Sequence, residues 1–216
     1  MIAHVCERAA ASGAGTVCVA TDDERILRAV EQWGFRAVMT RGTHPSGTDR
    51  IAEAAGALGL APDEIVVNVQ GDEPLIEPGL IREVAATLER NPEASVSSAC
   101  HAISDPAQLA NPNVVKAVLD RRGFALYFSR SQIPYPREAG GTWLRHAGIY
   151  GYRVEFLRLF PTLPQSPLER TESLEQLRVL WHGYRIAVTL RAGEPAPSVD
   201  APGDVELVLN KLGDRQ

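Results

Sequence analysis

Short apolar runs rich in β-branched residues alternate with amphipathic segments over the first hundred residues of the chain. Runs that are apolar on both faces are typical of strands in a parallel sheet, whereas apolar residues three and four positions apart predict helices. The predicted strands are 16–23, 36–40, 64–69 and 94–102, and the predicted helices are 4–15, 24–35, 48–59 and 79–90. This alternation predicts an α/β fold, in which helices cover both faces of a mostly parallel sheet.

The order of elements changes after about residue 110. Segments 113–120 and 124–129 flank a turn at Arg122-Gly123, which predicts a β-hairpin and an antiparallel excursion on the sheet. Strands are then predicted at 144–153 and 185–191, and helices at 154–160, 168–181 and 204–212. We expect one domain over residues 1–216, with an antiparallel subdomain at about 111–152.

Composition narrows the classes of function. A chain of 216 residues that is 44% hydrophobic can form one sizeable core. The net charge of −5 argues against a general nucleic-acid or anionic-membrane surface, and no apolar run approaches the roughly 20 residues needed to span a bilayer. Three widely spaced cysteines predict neither a disulfide framework nor a zinc site, and they fit a reducing cytoplasm.

The third strand ends in polar groups hinged on a glycine, in the stretch VVNVQGDEPL (66–75). Ligands of open α/β sheets bind beyond the carboxyl ends of the strands. Gly71 permits close approach of a ligand to the backbone, Gln70 can hydrogen-bond a ligand edge, and Asp72 offers a hard oxygen ligand for Mg²⁺. An ordinary strand-to-helix turn, capped by Asp72 or Glu73, is an equally good interpretation of these residues alone.

Two further segments contain polar residues before a predicted helix. Asp200 precedes the closing helix and could be a second Mg²⁺ ligand, although a helix N-cap is slightly favoured for it in isolation. Ser46 lies in THPSGTDR (43–50), where the helix N-terminus suits an anion or a polar base edge. The alternative for this segment is an N-cap by Ser46 or Thr48.

The strand at 144–153 places His146, Gly148, Tyr150 and Tyr152 on one face, which leaves room for a small polar ligand, although such a pair is more often part of the core. The helix predicted at 168–181 places Leu174, Leu177 and Trp181 on its buried face, Glu169, Glu172 and Gln176 on the opposite face, and Glu175 at the edge. Arg130, near a strand end, could bind a sugar carboxylate, with a surface salt bridge as the alternative.

Eight stretches taken together resemble the CMP-Kdo synthetases (3-deoxy-manno-octulosonate cytidylyltransferases). They are VATDD, HPSGTDRIAE, VVNVQGDEPLI, NPNVVKAVLD, ALYFSRSQIPY, LRHAGIYGYR, SPLERTESLEQLRVLWHGYRI and VDAPGDVE. They follow the family's order over nearly the whole chain. The resemblance implies a three-layer, Rossmann-like nucleotidyltransferase sheet. It also implies a cytoplasmic enzyme that uses Mg²⁺ to join CTP to Kdo, releasing pyrophosphate and making CMP-Kdo for lipopolysaccharide biosynthesis.

The resemblance also implies roles for individual residues. By it, Asp72 and Asp200 hold the metal and are catalytic, Gln70 and Gly71 line the nucleotide end, Ser46 lies near the cytidine, and His146, Tyr150, Glu175, Gln176 and Arg130 surround Kdo. It further implies a homodimer, in which the hairpin after residue 110 could pair across a two-fold axis.

The chain departs from the family at its start. The family opens with a strand and a loop of the form P-A-R-x-x-S-x-R-L-P-x-K-P, whose Arg and Lys contact the triphosphate, whereas Met1-Ile2 matches the start of the family's first helix. We expect a chain that lacks this element to be poorly stable or inactive. Two alternatives stay open: a cytidylyltransferase for another acidic sugar, such as 8-amino-Kdo or sialic acid, and a truncated, non-catalytic nucleotide- or sugar-binding paralogue.

Overall fold

The structure is a computed structural model that describes residues 1–138, 140–199, 201 and 203–213. Its helices are α1 (Ile2–Ala11), α2 (Glu24–Gln32), α3 (Gly47–Ala57), α4 (Pro78–Arg90), α5 (Ala107–Ala110), α6 (Val154–Leu159), α7 (Pro167–Glu172), α8 (Gln176–Trp181) and α9 (Asp204–Gly213), with a 3-10 helix at Phe160–Thr162. Its strands are β1 (Cys18–Thr21), β2 (Arg36–Met39), β3 (Ile65–Asn68), β4 (Val96–Ala102), β5 (Lys116–Leu119), β6 (Ala125–Ser129), β7 (Leu144–Arg153) and β8 (Ile186–Arg191). The predicted α/β fold is confirmed.

The strands form two sheets in the described part of the chain. β1 and β2 form a parallel pair, and the larger sheet has the order β6-β5-β7-β4-β8, with β3 also paired to β7. The pairing directions give β3, β4, β5 and β8 a common direction, with β6 and β7 running against them. The predicted hairpin is confirmed as β5 and β6, and its turn uses Gly123 at φ +85°, a conformation that glycine adopts without strain.

The course of β7 opens a gap in the middle of this sheet. β4 occupies one edge of β7, so β5 and β3 share the other edge, where β5 pairs with residues 144–145 and β3 with residues 150–153. Against β4, the register jumps because Ser98 pairs with Tyr150 while Ala99 pairs with Ala147. β7 therefore bulges at Gly148 and Ile149, between its two partner strands.

Helices pack on both faces of the larger sheet. Face A carries the even-numbered residues of β4 and β7 and packs against a core that includes Phe128, Leu157 and Leu177. Face B is covered by α4, whose Val84 is fully buried and accepts, through its carbonyl oxygen, a hydrogen bond from Ser97 Oγ at 2.8 Å. Within the described residues, no helix has the length and apolar character to cross a bilayer.

The single helix predicted at 168–181 is wrong, because the structure has two short helices there. Ser173 adopts a left-handed conformation (φ 52°) and ends α7, and α8 begins three residues later. The break shifts the helical phase, so Glu169 and Gln176, predicted to face solvent, are 4% and 5% exposed, whereas Trp181, predicted to be buried, is 53% exposed. Leu174 and Leu177 are buried as predicted, as is expected from their apolar character in either phase.

Candidate active site

Two cavities lie next to the bulge of β7. The larger has a volume of about 300 Å³ and is lined in part by His146, and the smaller has a volume of about 270 Å³ and is lined in part by Gln70. Gly148, Tyr150 and Gln176 line both. The two cavities therefore meet at the bulge, where two small molecules could lie side by side.

An aromatic row runs along face A of β7, as the strand period predicts. The ring centroids of His146 and Tyr150 are 5.3 Å apart, those of Tyr150 and Tyr152 are 6.0 Å apart, and Phe128 packs edge-on against His146 at 4.7 Å. Burial lowers the pKa of His146 to about 3, so its imidazole is neutral at physiological pH. Burial also raises the pKa of Tyr150, which stays a neutral phenol.

Glu175 and Gln176 project from the start of α8 towards the cavities. Gln176 is 5% exposed, and its side-chain amide makes no hydrogen bond with any described residue. Glu175 lines the smaller cavity, and its Oε1 is buried without a partner among the described residues. Burial raises the pKa of Glu175, an effect partly offset by hydrogen bonds to Thr48 and Ser46. Gln176 thus faces both cavities with unused hydrogen-bonding capacity, as expected of a group that binds a polar ligand, whereas Glu175 is half-buried and lines only the smaller cavity.

Ser46 caps α3. Its Oγ accepts a hydrogen bond from the Asp49 amide at 3.2 Å and donates to the Asp49 carboxylate at 2.5 Å. Its neighbours Gly47 and Thr48 line the smaller cavity, and Thr48 Oγ1 lies 3.0 Å from the hydroxyl of Tyr152. The capping interpretation of Ser46 is confirmed, and its predicted place near the cytidine stays a prediction that its neighbours' position favours.

Gln70, Gly71 and Asp72 follow β3, at the carboxyl end of the strand. Gln70 is exposed and lines the smaller cavity. A Cβ atom at Gly71 would meet only the Cδ1 atom of Ile2, at 3.7 Å, so the packing of the chain does not require glycine there. The space beside Gly71 is otherwise open, and the approach of a ligand to its backbone stays a prediction.

Asp72 is fixed to the segment that leads to the second predicted metal ligand. The amide of Val199 donates a hydrogen bond to the backbone carbonyl of Asp72 at 2.9 Å. Asp200, which follows Val199, lies outside the described residues, and its metal-binding role stays a prediction. The Asp72 carboxylate is half-buried. Its hard oxygens suit Mg²⁺, which proteins usually bind through one or two carboxylates together with substrate phosphates and water. Among the described residues, no group of three or more His, Cys, Asp and Glu side chains could hold a metal ion.

Arg130 lies outside the linings of both cavities. Its guanidinium donates to the carbonyl oxygens of Glu172 at 2.7 Å, Pro112 at 2.9 Å and Ser173 at 3.3 Å. Its amide also donates to the Glu172 carboxylate at 2.9 Å. These contacts tie Arg130 to the end of α7 and to Ser173. The predicted contact of Arg130 with the sugar stays a prediction.

Sequence reasoning missed other residues of the larger cavity. Arg145, His101 and Arg191 lie in register across β7, β4 and β8 and line this cavity from face B. Arg191 is paired with Glu83 and Glu77, whereas the guanidinium of Arg145 has no partner among the described residues. In the sequence, Arg145 directly precedes His146. Because adjacent residues of a strand point to opposite faces, Arg145 was not expected to line the same cavity as His146.

Comparison with known proteins first gives the class. A family model for cytidylyltransferases matches residues 1–186, most of the chain. The protein is therefore a nucleotidyltransferase, as the family resemblance of its sequence implied.

Relatives of the chain give the particular family. It is 54% identical to a 3-deoxy-manno-octulosonate cytidylyltransferase of Leptothrix cholodnii, with 99% of this chain and 82% of that protein covered. It is 51% identical to one of Acidovorax, with 99% and 87% covered. A solved structure of CMP:2-keto-3-deoxy-manno-octonic acid synthetase complexed with CTP matches with a TM-score of 0.93 and 42% identity, over 100% of this chain and 88% of that one. The chain belongs to the 3-deoxy-manno-octulosonate cytidylyltransferase family.

Proposed function

We propose that the protein transfers CMP from CTP to the anomeric hydroxyl of Kdo, giving CMP-Kdo and pyrophosphate for lipopolysaccharide biosynthesis. The observation that carries this proposal is the meeting of two cavities at Gly148, Tyr150 and Gln176. A transferase that joins two substrates needs them in contact at one point, and this arrangement supplies it. The names of the relatives, at 51–54% identity, support the choice of CTP and Kdo.

The larger cavity suits the sugar. Kdo is small, strongly hydroxylated and acidic, and His146 and Tyr150 supply neutral hydrogen-bonding groups for its hydroxyls. Gln176 can reach a ligand in either cavity because its amide is uncommitted and lines both. Glu175, which the family resemblance places near Kdo, lines only the smaller cavity, so its carboxylate would contact the sugar from the side of the smaller cavity.

The smaller cavity suits the cytidine portion of CTP. It lies between Gln70 at the end of β3 and the N-terminus of α3 at Gly47 and Thr48. Backbone amides at a helix N-terminus favour polar or anionic groups, and the amide of Gln70 can hydrogen-bond a base edge or a ribose hydroxyl. Ser46 holds this helix N-terminus in position by capping it.

Transfer requires the anomeric oxygen of Kdo to attack the α-phosphorus of CTP while the bond to pyrophosphate breaks. The chain aligns the two substrates at the bulge of β7 and keeps bulk water away with the aromatic row of face A. Asp72, together with Asp200, would hold Mg²⁺, which when bound screens the charge of the triphosphate and lowers the proton affinity of the attacking hydroxyl. Positioning and electrostatics therefore account for most of the catalysis.

Location and assembly form part of the same proposal. CTP is a cytoplasmic metabolite, and the three cysteines are all free in the structure, which fits a reducing compartment. We place the protein in the cytoplasm as a homodimer that uses segment 111–152, where Tyr135 is 81% exposed. Sedimentation at micromolar concentration tests the dimer, and a monomer there would remove this part of the proposal.

The proposed reaction is tested by measuring pyrophosphate release from CTP in the presence of Kdo, 8-amino-Kdo or sialic acid. We expect release to depend on Kdo and on Mg²⁺, and Asp72→Asn to lower it by about 100-fold or more. Asp63→Asn, at an exposed turn before β3, is the matched control and should turn over normally. Full activity of D72N, or preference for another sugar, would contradict the assignment. The same assay tests the expectation that this chain turns over poorly, because it measures the rate of the unaltered protein directly.

A further inference from the structure

We propose that Ser98 is a positioning residue for sugar binding, because it fixes His146 in the tautomer whose bare Nδ1 accepts a hydrogen bond from the sugar. This inference rests on the proposed function, since it concerns the residue that contacts Kdo in the larger cavity. Ser98 itself is fully buried on β4 and lines neither cavity.

The hydrogen bonds of Ser98 fix where its proton goes. Its Oγ lies 2.8 Å from the carbonyl oxygen of Ile149, which lies in the bulge of β7, and 3.4 Å from that of Ala147, the last paired residue before the bulge. A carbonyl oxygen only accepts, so the single hydroxyl proton of Ser98 is used on the carbonyl of Ile149. The hydroxyl thus satisfies a carbonyl at the bulge, where the regular ladder is interrupted.

The same geometry fixes the proton of His146. Its Nε2 lies 2.8 Å from Ser98 Oγ, whose proton is already used. Nε2 must therefore carry the imidazole proton and donate it to Oγ, since two lone pairs would otherwise face each other inside the protein. A neutral imidazole has one proton, and the low pKa of His146 keeps it neutral, so Nδ1 has a free lone pair.

The free Nδ1 faces the larger cavity. It has no hydrogen-bond partner among the described residues, yet it is not one of the fully buried polar atoms that lack a partner. Since His146 is only 9% exposed and lines this cavity, the remaining accessibility of Nδ1 is towards it. The site therefore presents an acceptor of fixed orientation, which binds a ligand hydroxyl and not a ligand acceptor.

The neighbouring residue Ser97 provides a matched control. It is also fully buried on β4, and its Oγ also donates to a carbonyl oxygen at 2.8 Å, that of Val84 on the opposite face of the sheet. Ser97→Ala and Ser98→Ala therefore remove the same kind of hydrogen bond from adjacent positions. Only the second variant removes the acceptor for Nε2 of His146.

The test combines the tautomer of His146 with the affinity for Kdo. Two-bond ¹H–¹⁵N spectra of the full chain, with His146 assigned by a His146→Gln variant, should show a protonated Nε2 and a bare Nδ1. In Ser98→Ala this signature should be lost and the KM for Kdo should rise about tenfold, the equivalent of one hydrogen bond, with the KM for CTP unchanged. Ser97→Ala should retain both properties, and Ser98→Thr, which keeps the hydroxyl, should restore them.

Each outcome bears on a different claim. A protonated Nδ1 in the unaltered protein, or a Ser98→Ala variant that behaves like Ser97→Ala in spectrum and KM, overturns the inference about Ser98 and leaves the proposed function intact. Failure of the unaltered protein to bind Kdo, measured by calorimetry, overturns the proposed function and the positioning role with it. If Ser98→Thr does not fold, the comparison of the two alanine variants still decides.

Discussion

Arg178 holds the carboxylate of Glu169 through two hydrogen bonds, Nε to Oε2 at 2.8 Å and Nη2 to Oε1 at 2.5 Å, with both side chains less than a tenth exposed. The pair joins α7 to α8 across the left-handed residue Ser173, and Arg178 also lies over the ring of Phe160 at 4.4 Å. This interaction fixes the start of α8, and hence the position of Gln176 at the junction of the cavities.

Breaking this pair should be costly because it leaves the buried Glu169 carboxylate without its positive partner. We expect Arg178→Met to lower the free energy of unfolding by about 3–5 kcal/mol, measured by urea denaturation. The double variant Glu169→Leu/Arg178→Met should recover much of that loss. As a control, Arg28→Ala breaks an exposed pair with Glu24, in which both side chains are 71% exposed, and should cost less than about 1 kcal/mol. Equal losses for the two single variants would contradict this account.

Two glycines of β7 should respond differently to alanine. A Cβ atom at Gly151 would lie 2.4 Å from Ser97 Oγ and 3.2 Å from a methyl of Val84, whereas one at Gly148 would have no atom within 4 Å. We expect Gly151→Ala to lower the free energy of unfolding by about 1–3 kcal/mol. Gly148→Ala should instead keep the stability and raise the KM for both substrates, because it fills space shared by the two cavities. Thermal melts and steady-state kinetics on the two variants distinguish these effects, and a reversed pattern would refute the placement of the site.

Glu175 should make the ligand-free protein less stable as the pH rises. Burial raises its pKa above the ordinary value of 4.5, so the folded state binds more protons than the unfolded state just above that pH. The contribution of Glu175 to the free energy of unfolding is greatest below pH 4.5 and is lost as the pH rises through the folded-state pKa. Glu175→Gln should therefore gain stability relative to the unaltered protein between pH 4.5 and 8, as measured by urea unfolding. A difference that is constant with pH would show that the carboxyl is not buried.

His146 should have the opposite dependence on pH. Its pKa falls from 6.5 to about 3 on folding, so the unfolded state binds the additional proton between these values. The stability contributed by neutral His146 is present above pH 6.5 and is lost as the pH falls towards 3. His146→Gln should therefore show a shallower decline of the free energy of unfolding between pH 6.5 and 4. The affinity for Kdo should not follow an imidazole titration from pH 5 to 8, and a transition near pH 6.5 would contradict a buried neutral ring.

Local sequence signals predicted much of the fold. Alternation of apolar runs with amphipathic segments located the first four strands, and the turn at Arg122-Gly123 located the hairpin. The period of two in β7 correctly placed His146 and Tyr150 on one face, since strand geometry fixes that relationship without tertiary information.

The missed features depend on contacts between distant residues. No helical period could show that Ser173 would break the helix, because its left-handed conformation is stabilised by the Glu169–Arg178 pair and by the bonds of Arg130 around it. The partner of His146 was likewise hidden, since Ser98 lies 48 residues away and resembles any small residue of a buried strand. The bulge that brings Ser98 and His146 together arises from the register between β4 and β7, which depends on the pairing of the two strands.

The bulge of β7 places the proposed sugar site inside the sheet itself, among mid-strand side chains, rather than on loops at its edge. Substrate specificity that depends on loop residues changes readily in evolution, because surface segments tolerate insertions and substitutions. Here, a change of preferred sugar through His146 or Tyr150 would have to be accommodated by the core that both rings help to form. Laboratory evolution towards another acidic sugar should therefore accept substitutions first at Gln176 and its helix, and only later, with compensating changes, along the strand.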